Sequence, residues 1–335
     1  MRKLLVLLVA LVTVAAFAAV NFSGRLDVTP TLTYPVSGNM TFSIGVSGAL
    51  NIEASNEDET TGFYVSIYPK LTTAATVVST PSGTTTALTS ASWAWGYWGY
   101  VWQKLYTSDS FTVTLQAGNL FRGWCDATGA NFSWIITPPN FDMCDDGAAV
   151  GLKFDITSGD LSDSLRVFVK PDASKMINVD VFNSLSFGFL STGIFVQNLL
   201  DATLGLPEFG LSASVDLAKA LAIEGATLKG FGYFYIKPTA SPILQSYLVG
   251  ADLGIEKLSA SVAFDNNNTL GIAVKTTALA PVTVGADIVI RDITKITDFQ
   301  LAGYASWKTG LIGHRLSLKW DGSTATVAWR LRVTF

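Results

Sequence analysis

Thr324-Ala325-Thr326-Val327-Ala328-Trp329-Arg330-Leu331-Arg332-Val333-Thr334-Phe335 is the stretch whose reading decides the fold. Counted back from Phe335, every second residue is apolar: Val333, Leu331, Trp329, Val327 and Ala325. Thr334, Arg332, Arg330, Ala328, Thr326 and Thr324 stand between them. Period two over the whole stretch marks a β-strand with one apolar and one polar face. Its length suits a strand that crosses a bilayer, about 9–11 residues. An arginine facing lipid at mid-depth would cost about 2–4 kcal/mol, so Arg330 and Arg332 belong to the face turned away from the apolar one.

The same rhythm recurs upstream. Phe42, Ile44 and Val46 alternate with Ser43, Gly45 and Ser47, and Phe63, Val65 and Ile67 with Tyr64, Ser66 and Tyr68. Phe111, Val113 and Leu115 alternate with Thr112, Thr114 and Gln116, and Val150, Leu152 and Phe154 with Gly151, Lys153 and Asp155. Similar segments lie at 165–170, 209–217, 258–265, 270–275, 282–291, 299–308 and 314–320. Less regular ones lie at 22–34, 93–105, 176–182, 187–197, 227–237 and 244–253. With the last strand these make eighteen. A barrel with both termini at one end needs an even number, and the weak segments between 176 and 197 leave sixteen open.

The N-terminus carries Arg2 and Lys3, an apolar run from Leu4 to Val14 and the small-residue end Ala16-Phe17-Ala18. That is the pattern of a secretory signal peptide, residues 1–18, cleaved before Ala19. No cysteine follows the cleavage point, which argues against a lipoprotein. Without Arg2 and Lys3, 20 of the 22 Lys and Arg remain against 26 Asp and Glu, a net charge of about −6. This balance argues against a nucleic-acid partner. Hydrophobic residues make up 49% of the chain and charged ones 14%. The nearest candidate for a membrane helix, 181–200, is interrupted by Asn183, Ser184, Ser186, Gly188, Ser191, Gly193, Gln197 and Asn198, and reads as strand, turn and strand. An exported chain that is apolar on average and lacks an apolar helix fits a transmembrane barrel. A large soluble all-β domain is the competing architecture.

Asp265-Asn266-Asn267-Asn268 and Asp321-Gly322-Ser323 read as tight turns. Two connections are longer. Residues 72–90, rich in Thr, Ser and Ala with Pro81 and Gly83, read as a solvated surface loop. The other, 119–147, follows the fifth strand and is too long to be idle.

The final phenylalanine, preceded by apolar residues at alternate positions, resembles the signature by which outer-membrane barrels are recognised for assembly. With the leader, the strand rhythm and the long third outer loop, the whole chain resembles a bacterial outer-membrane porin. Phe22-Ser23-Gly24-Arg25-Leu26 and Ala117-Gly118-Asn119-Leu120-Phe121-Arg122-Gly123-Trp124 resemble the porin-like toga proteins of Thermotogales-type bacteria. The resemblance implies an all-β, transmembrane, antiparallel up-and-down β-barrel of 16–18 strands over 19–335. It implies passive diffusion of small hydrophilic solutes or ions across the outer membrane through a homotrimer. It also implies that the long loop at 119–147 folds into the barrel and narrows the pore.

Applying the register of each strand, the inward set includes Lys153, Arg166, Lys170, Lys275, Arg291, Lys308, Arg315, Lys319, Arg330 and Arg332, a basic pore lining. The long loop carries Arg122 and the aspartates Asp126, Asp142, Asp145 and Asp146. Those carboxylates either keep the loop solvated or face the basic wall across a narrow pore, where a transverse field would favour small polar solutes. Their oxygens suit calcium, but clustered aspartates alone specify no site, and neither metal nor cofactor is expected. Cys125 and Cys144 lie in the same loop, and in an exported protein they most simply form a disulfide. Closing about twenty residues would restrict the unfolded loop by roughly 3 kcal/mol.

Trp93-Ala94-Trp95-Gly96-Tyr97-Trp98-Gly99-Tyr100-Val101-Trp102 is the most unusual stretch. As a strand it shows Trp93, Trp95 and Tyr97 on one face and Trp98, Tyr100 and Trp102 on the other. It reads either as an aromatic girdle or protomer contact, or as a lumen track, with Tyr64 and Tyr68, on which sugar rings stack. The one histidine, His314, falls in a short turn at outward parity, and no nucleophile elbow, zinc motif or phosphate loop accompanies it. A non-conducting structural barrel and a barrel hydrolase are the rival functions, and no residue pattern proposes the hydrolase.

Overall fold

The computed structural model describes residues 19–37, 39–80, 83–120, 147–170, 177–200 and 207–335. The leader 1–18 and the loop residues Arg122, Cys125, Asp126, Asp142, Cys144, Asp145 and Asp146 lie outside the described residues. Alternating apolar and polar residues, rich in β-branched and aromatic types, form eighteen strands. The first half comprises β1 (Ala19–Pro35), β2 (Met40–Ser55), β3 (Thr61–Thr80), β4 (Gly83–Thr107), β5 (Phe111–Leu120), β6 (Gly147–Ser158), β7 (Leu161–Lys170), β8 (Asn178–Phe187) and β9 (Leu190–Gln197). The second comprises β10 (Glu208–Asp216), β11 (Ala226–Ile236), β12 (Leu244–Ile255), β13 (Leu258–Asp265), β14 (Leu270–Thr276), β15 (Thr283–Ile290), β16 (Phe299–Thr309), β17 (Ile312–Trp320) and β18 (Thr324–Thr334). One short helix, α1 (Leu217–Ala220), interrupts the connection after β10.

Each strand pairs antiparallel with its neighbours in sequence, and β1 pairs with β18, so the 18-stranded sheet closes on itself. The alternative of sixteen strands is thereby excluded. Closure leaves no open edge along the ring and turns alternate side chains inward and outward. Among the described residues no helix is long and apolar enough to cross a membrane.

At the seam, Asp27 of β1 stands opposite Arg332 of β18, and Arg332 donates to its carboxylate through Nε at 2.6 Å and a terminal nitrogen at 2.8 Å. The amide of Gly24 donates to the carbonyl of Phe335 at 2.8 Å, and that of Phe335 to Gly24 at 3.1 Å. The Phe335 ring lies on the outer face directly over Gly24, where a Cβ would stand only 2.9 Å from it. The terminal aromatic is thus seated by a glycine on the first strand.

Residues 72–90, read from sequence as a solvated loop, are instead mostly strand: β3 and β4 continue as a ladder as far as Thr80 opposite Gly83. Thr, Val and Ala carry enough β-propensity for this. β4 is 25 residues long, whereas its neighbour β5 has 10 and meets it only between Gly99 and Thr107. The β3–β4 ribbon therefore rises beyond the wall beside it. Turn chemistry is local elsewhere. Asp265 accepts from the amides of Asn267 (2.8 Å) and Thr269 (2.9 Å), with Asn268 at φ 59°. Asp216 caps α1 by accepting from the Lys219 amide at 3.0 Å.

Candidate pore interior

The outward parity of the strands is almost wholly apolar, with Leu26, Leu32, Phe42, Ile44, Leu211, Val262, Ile272, Ile288, Leu316 and Val327 all exposed. The inward parity holds the charge. Asp27, paired with Arg332 and 3.7 Å from Arg25, is the carboxylate of an arginine cluster on β17, β18 and β1. Arg315 and Arg330 stand directly opposite each other, an arrangement that costs stability where like charges face. Among the described residues Arg330 has no carboxylate at ion-pair distance, and its electrostatic neighbours are Arg332, Arg315, Arg25 and Asp27. Arg315 is oriented by stacking 3.9 Å from the Tyr304 ring, and that ring in turn lies over Gly285, where an added Cβ would meet it.

A second inward patch runs over β2 to β7. Tyr64 and Trp98 have ring centroids 4.7 Å apart, Tyr64 and Tyr100 5.9 Å, and Trp98 and Tyr100 6.2 Å. Trp102 follows, with the Lys104 ammonium 5.8 Å from its ring, and Tyr68 lies over Gly96. Next to this stack a recess of about 490 Å³ is lined by Tyr100, Trp102, Glu53, Lys104, Lys153 and Asp155, among other polar groups. Lys153 binds Asp155 at 2.7 Å and stands opposite Arg166.

A third inward region is apolar. Phe168, Phe182 and Phe195, on β7 to β9, are 0–1% exposed, and Tyr100 from β4 and Tyr235 from β11 pack against them. Phe231, Tyr233, Leu248 and Ala263 form a second buried group on β11 to β13. On β7 to β13 the inward face therefore carries packed apolar side chains, whereas the arginines stand on the opposite stretch of the ring.

The sequence-derived basic residues do not form one wall. Lys170 is bound to Asp180 at 3.0 Å, while Lys275 and Lys308 sit near the end that carries the termini and Lys319 near the other end. Arg291 is a correction: it lies just past β15, half exposed, 3.4 Å from Asp298 in the same connection, because the strand ends one residue earlier than its alternation suggested. His314 is a second correction, since it lies in β17 and not in a turn. It faces outward, stacked between Trp307 (5.1 Å) and Trp329 (5.9 Å). The inward parity also holds Asp27, Glu53, Asp155, Asp180, Glu208, Asp252 and Asp287, which stand among the basic residues there. These carboxylates, together with Arg25, Lys104 and Tyr304, were missed by the sequence reading. The period-two rule applied to acids as well as bases would have found them.

The aromatic stretch divides as its parity requires. Trp98, Tyr100 and Trp102 share the inward side with Tyr64, while Trp93, Trp95 and Tyr97 are outward and 55–77% exposed. Among the described residues no group of His, Cys, Asp and Glu could hold a metal ion.

No protein-family model and no curated protein matches the sequence. Solved structures match in fold. Pseudomonas aeruginosa OpdQ is similar with a TM-score of 0.53 at 10% identity, covering 94% of this chain and 98% of that one. Pseudomonas aeruginosa OccK5 (OpdH) is similar with a TM-score of 0.53 at 10% identity, covering 95% and 98%. A mutant of the Rh. blastica porin matches more loosely, with a TM-score of 0.49 at 12% identity over 95% of this chain and 100% of that one. At such identities the Pseudomonas likenesses establish the architecture: this chain is a closed 18-stranded antiparallel β-barrel.

Proposed function

We propose that the chain is an outer-membrane channel of the porin type, exported through residues 1–18, and that it passes small hydrophilic solutes or ions passively. The observation that carries this reading is Arg330 with its neighbours Arg25, Arg315 and Arg332 on the inside of a closed, outwardly apolar barrel, with Asp27 as the nearest carboxylate. A dry interior would charge several kcal/mol for an ion with no counter-charge at ion-pair distance, so Arg330 needs water around it, and a lined water column is a channel. The excess of guanidinium over carboxylate on that side favours anions over cations of equal size. The packed Phe168, Phe182 and Phe195 make the channel narrow and eccentric, which is also the one feature favouring a non-conducting structural barrel.

A second reading rests on the stack of Tyr64, Trp98, Tyr100 and Trp102: a track on which sugar rings slide. A homotrimer and a toga-like relationship belong to the same proposal. Incorporation of the refolded protein into a planar bilayer under a KCl gradient tests it. Stepwise conductance with an anion-directed reversal potential is expected. A barrel that inserts and never conducts refutes the channel and favours the structural reading.

A further inference from the structure

The chain's one histidine is held in an arrangement that neither barrel closure nor a water-filled interior requires. On the outer face of β16 to β18 the imidazole of His314 lies between two indoles, Trp307 at 5.1 Å with 7° between the planes and Trp329 at 5.9 Å with 23°. Both faces of the imidazole are therefore shut, and only its edge can meet a partner. Nδ1 is enclosed and makes no hydrogen bond, which leaves Nε2 as the nitrogen able to take one from outside. The surrounding wall supplies no charged partner. The outward residues next to it, Ala305 and Thr309 on β16, Ile312 and Leu316 on β17, and Leu331 and Val333 on β18, carry no charge. Lys308 and Arg315 belong to the inward parity, and the terminal carboxylate of Phe335 lies four residues beyond Leu331.

Height along the wall narrows the choice of partner. His314 stands two residues after the start of β17 and Trp307 two before the end of β16, which at about 3.4 Å per residue puts the stack roughly 7 Å from the strand ends. In a membrane-spanning barrel that is the depth at which hydrocarbon gives way to headgroups. Away from that rim, Leu316 and Leu318 continue the same face of β17, 44% and 56% exposed. They form an apolar lane in line with His314, so a molecule that lays a hydrocarbon tail along them brings its polar end to the imidazole edge.

We infer that His314 binds the phosphate of a membrane phospholipid, Nε2–H donating to a phosphate oxygen while an acyl chain lies along Leu316 and Leu318. The inference rests on the membrane reading above. The donor needs an oxygen acceptor at the rim, and the two indole faces, negative at their centres, suit an imidazole polarised by an anion. Phosphate is the anion that a bilayer carries at this depth. Inorganic phosphate would accept the same hydrogen bond and leave the leucine lane empty.

A single histidine makes the test selective, because isotope-labelled histidine reports this site alone. Solid-state NMR of the full labelled barrel in phosphatidylglycerol bilayers is expected to show dipolar coupling of Nε2 to lipid phosphorus, with Nδ1 coupled less. In parallel, native mass spectrometry follows the phosphatidylglycerol retained by the detergent-solubilised barrel. His314→Phe keeps a ring in the stack and removes the donor, and it is expected to weaken retention about tenfold or more; His314→Gln, which restores an N–H donor, should recover part of it. A barrel that inserts while its histidine nitrogens feel no phosphorus, or a His314→Phe variant that retains as much lipid as wild type, overturns the inference and leaves the membrane reading intact. Retention of inorganic phosphate in place of lipid overturns the assignment to a phospholipid. A barrel that never enters the bilayers refutes the membrane reading and this contact with it.

Discussion

Breaking the ion pair at the seam is the most informative perturbation. Asp27→Ala removes the carboxylate that Arg332 grips through two hydrogen bonds at 2.6 and 2.8 Å. The Asp27 side chain is 7% exposed and that of Arg332 32%, so the pair falls between two limits. A solvent-exposed pair is worth about 0–1 kcal/mol, whereas removing one partner of a fully buried pair costs about 3–5 kcal/mol. Two charge-assisted hydrogen bonds in this half-wet setting place the coupling near ~2 kcal/mol. The variant also leaves Arg25, Arg315, Arg330 and Arg332 without the carboxylate among them, which adds repulsion. A double-mutant cycle with Arg332→Met, read by urea unfolding of the vesicle-refolded barrel at constant m-value, isolates the pair. The coupling should shrink in 1 M salt, where the screening length is about 3 Å. A coupling below about 0.5 kcal/mol at low salt would refute the argument that this contact fastens the first strand to the last.

Three other outcomes follow from the interior and the turns. Arg330→Gln should shift the reversal potential under a KCl gradient toward cations, and an unchanged potential would remove the arginine cluster from the conduction path. Phe182→Ala, at a fully buried site on the packed side, should cost about 3–5 kcal/mol of stability and raise unit conductance, since the space vacated lies inside the barrel; destabilisation with unaltered conductance would show that the packed side is outside the water path. In the turn between β17 and β18, hydrogen bonds from the Ser323 amide (3.2 Å) and hydroxyl (3.0 Å) and the Thr324 amide (2.8 Å) hold the Asp321 carboxyl below the usual carboxylate range. A carboxylate lowered in the folded state stabilises fully above its unfolded value of about 3.9 and loses that contribution as pH falls through the lowered value. Titration of the Asp321 resonance at or above the ordinary value would contradict this.

The last strand was legible because its outer face is wholly apolar and both of its arginines fall on the other face. Phe335 to Val327 and Arg332 to Arg330 separate without exception, and the structure keeps that parity. The β3–β4 ribbon was hidden because Thr, Ser and Ala serve equally in strands and loops, and only pairing with a neighbour decides between them. α1 was invisible for another reason: four residues carry no period, and the helix depends on the Asp216 cap and on the Lys219 ammonium reaching the carbonyl of Gly188 at 3.0 Å. In the interior, parity located the arginines. It could not say that Lys170 would be neutralised by Asp180, nor that Tyr304 would hold Arg315, because both contacts are diagonal across neighbouring strands and depend on the exact register of each pair.

Joining β1 to β18 also sets the order in which the molecule can be made. Asp27 and Arg332 are 305 residues apart, so the contact that completes the ring is among the most distant the chain can form. Loops of that span close slowly, and rates fall as native contacts become less local. Until the final strand arrives, β1 and whichever strand comes last present bare hydrogen-bonding edges, and an apolar exterior already stands assembled beside them. Such an intermediate invites pairing with other chains. A barrel built this way gains nothing from partial folding in water, and on the channel reading its chain is best kept unfolded until the membrane and the C-terminal strand are both at hand.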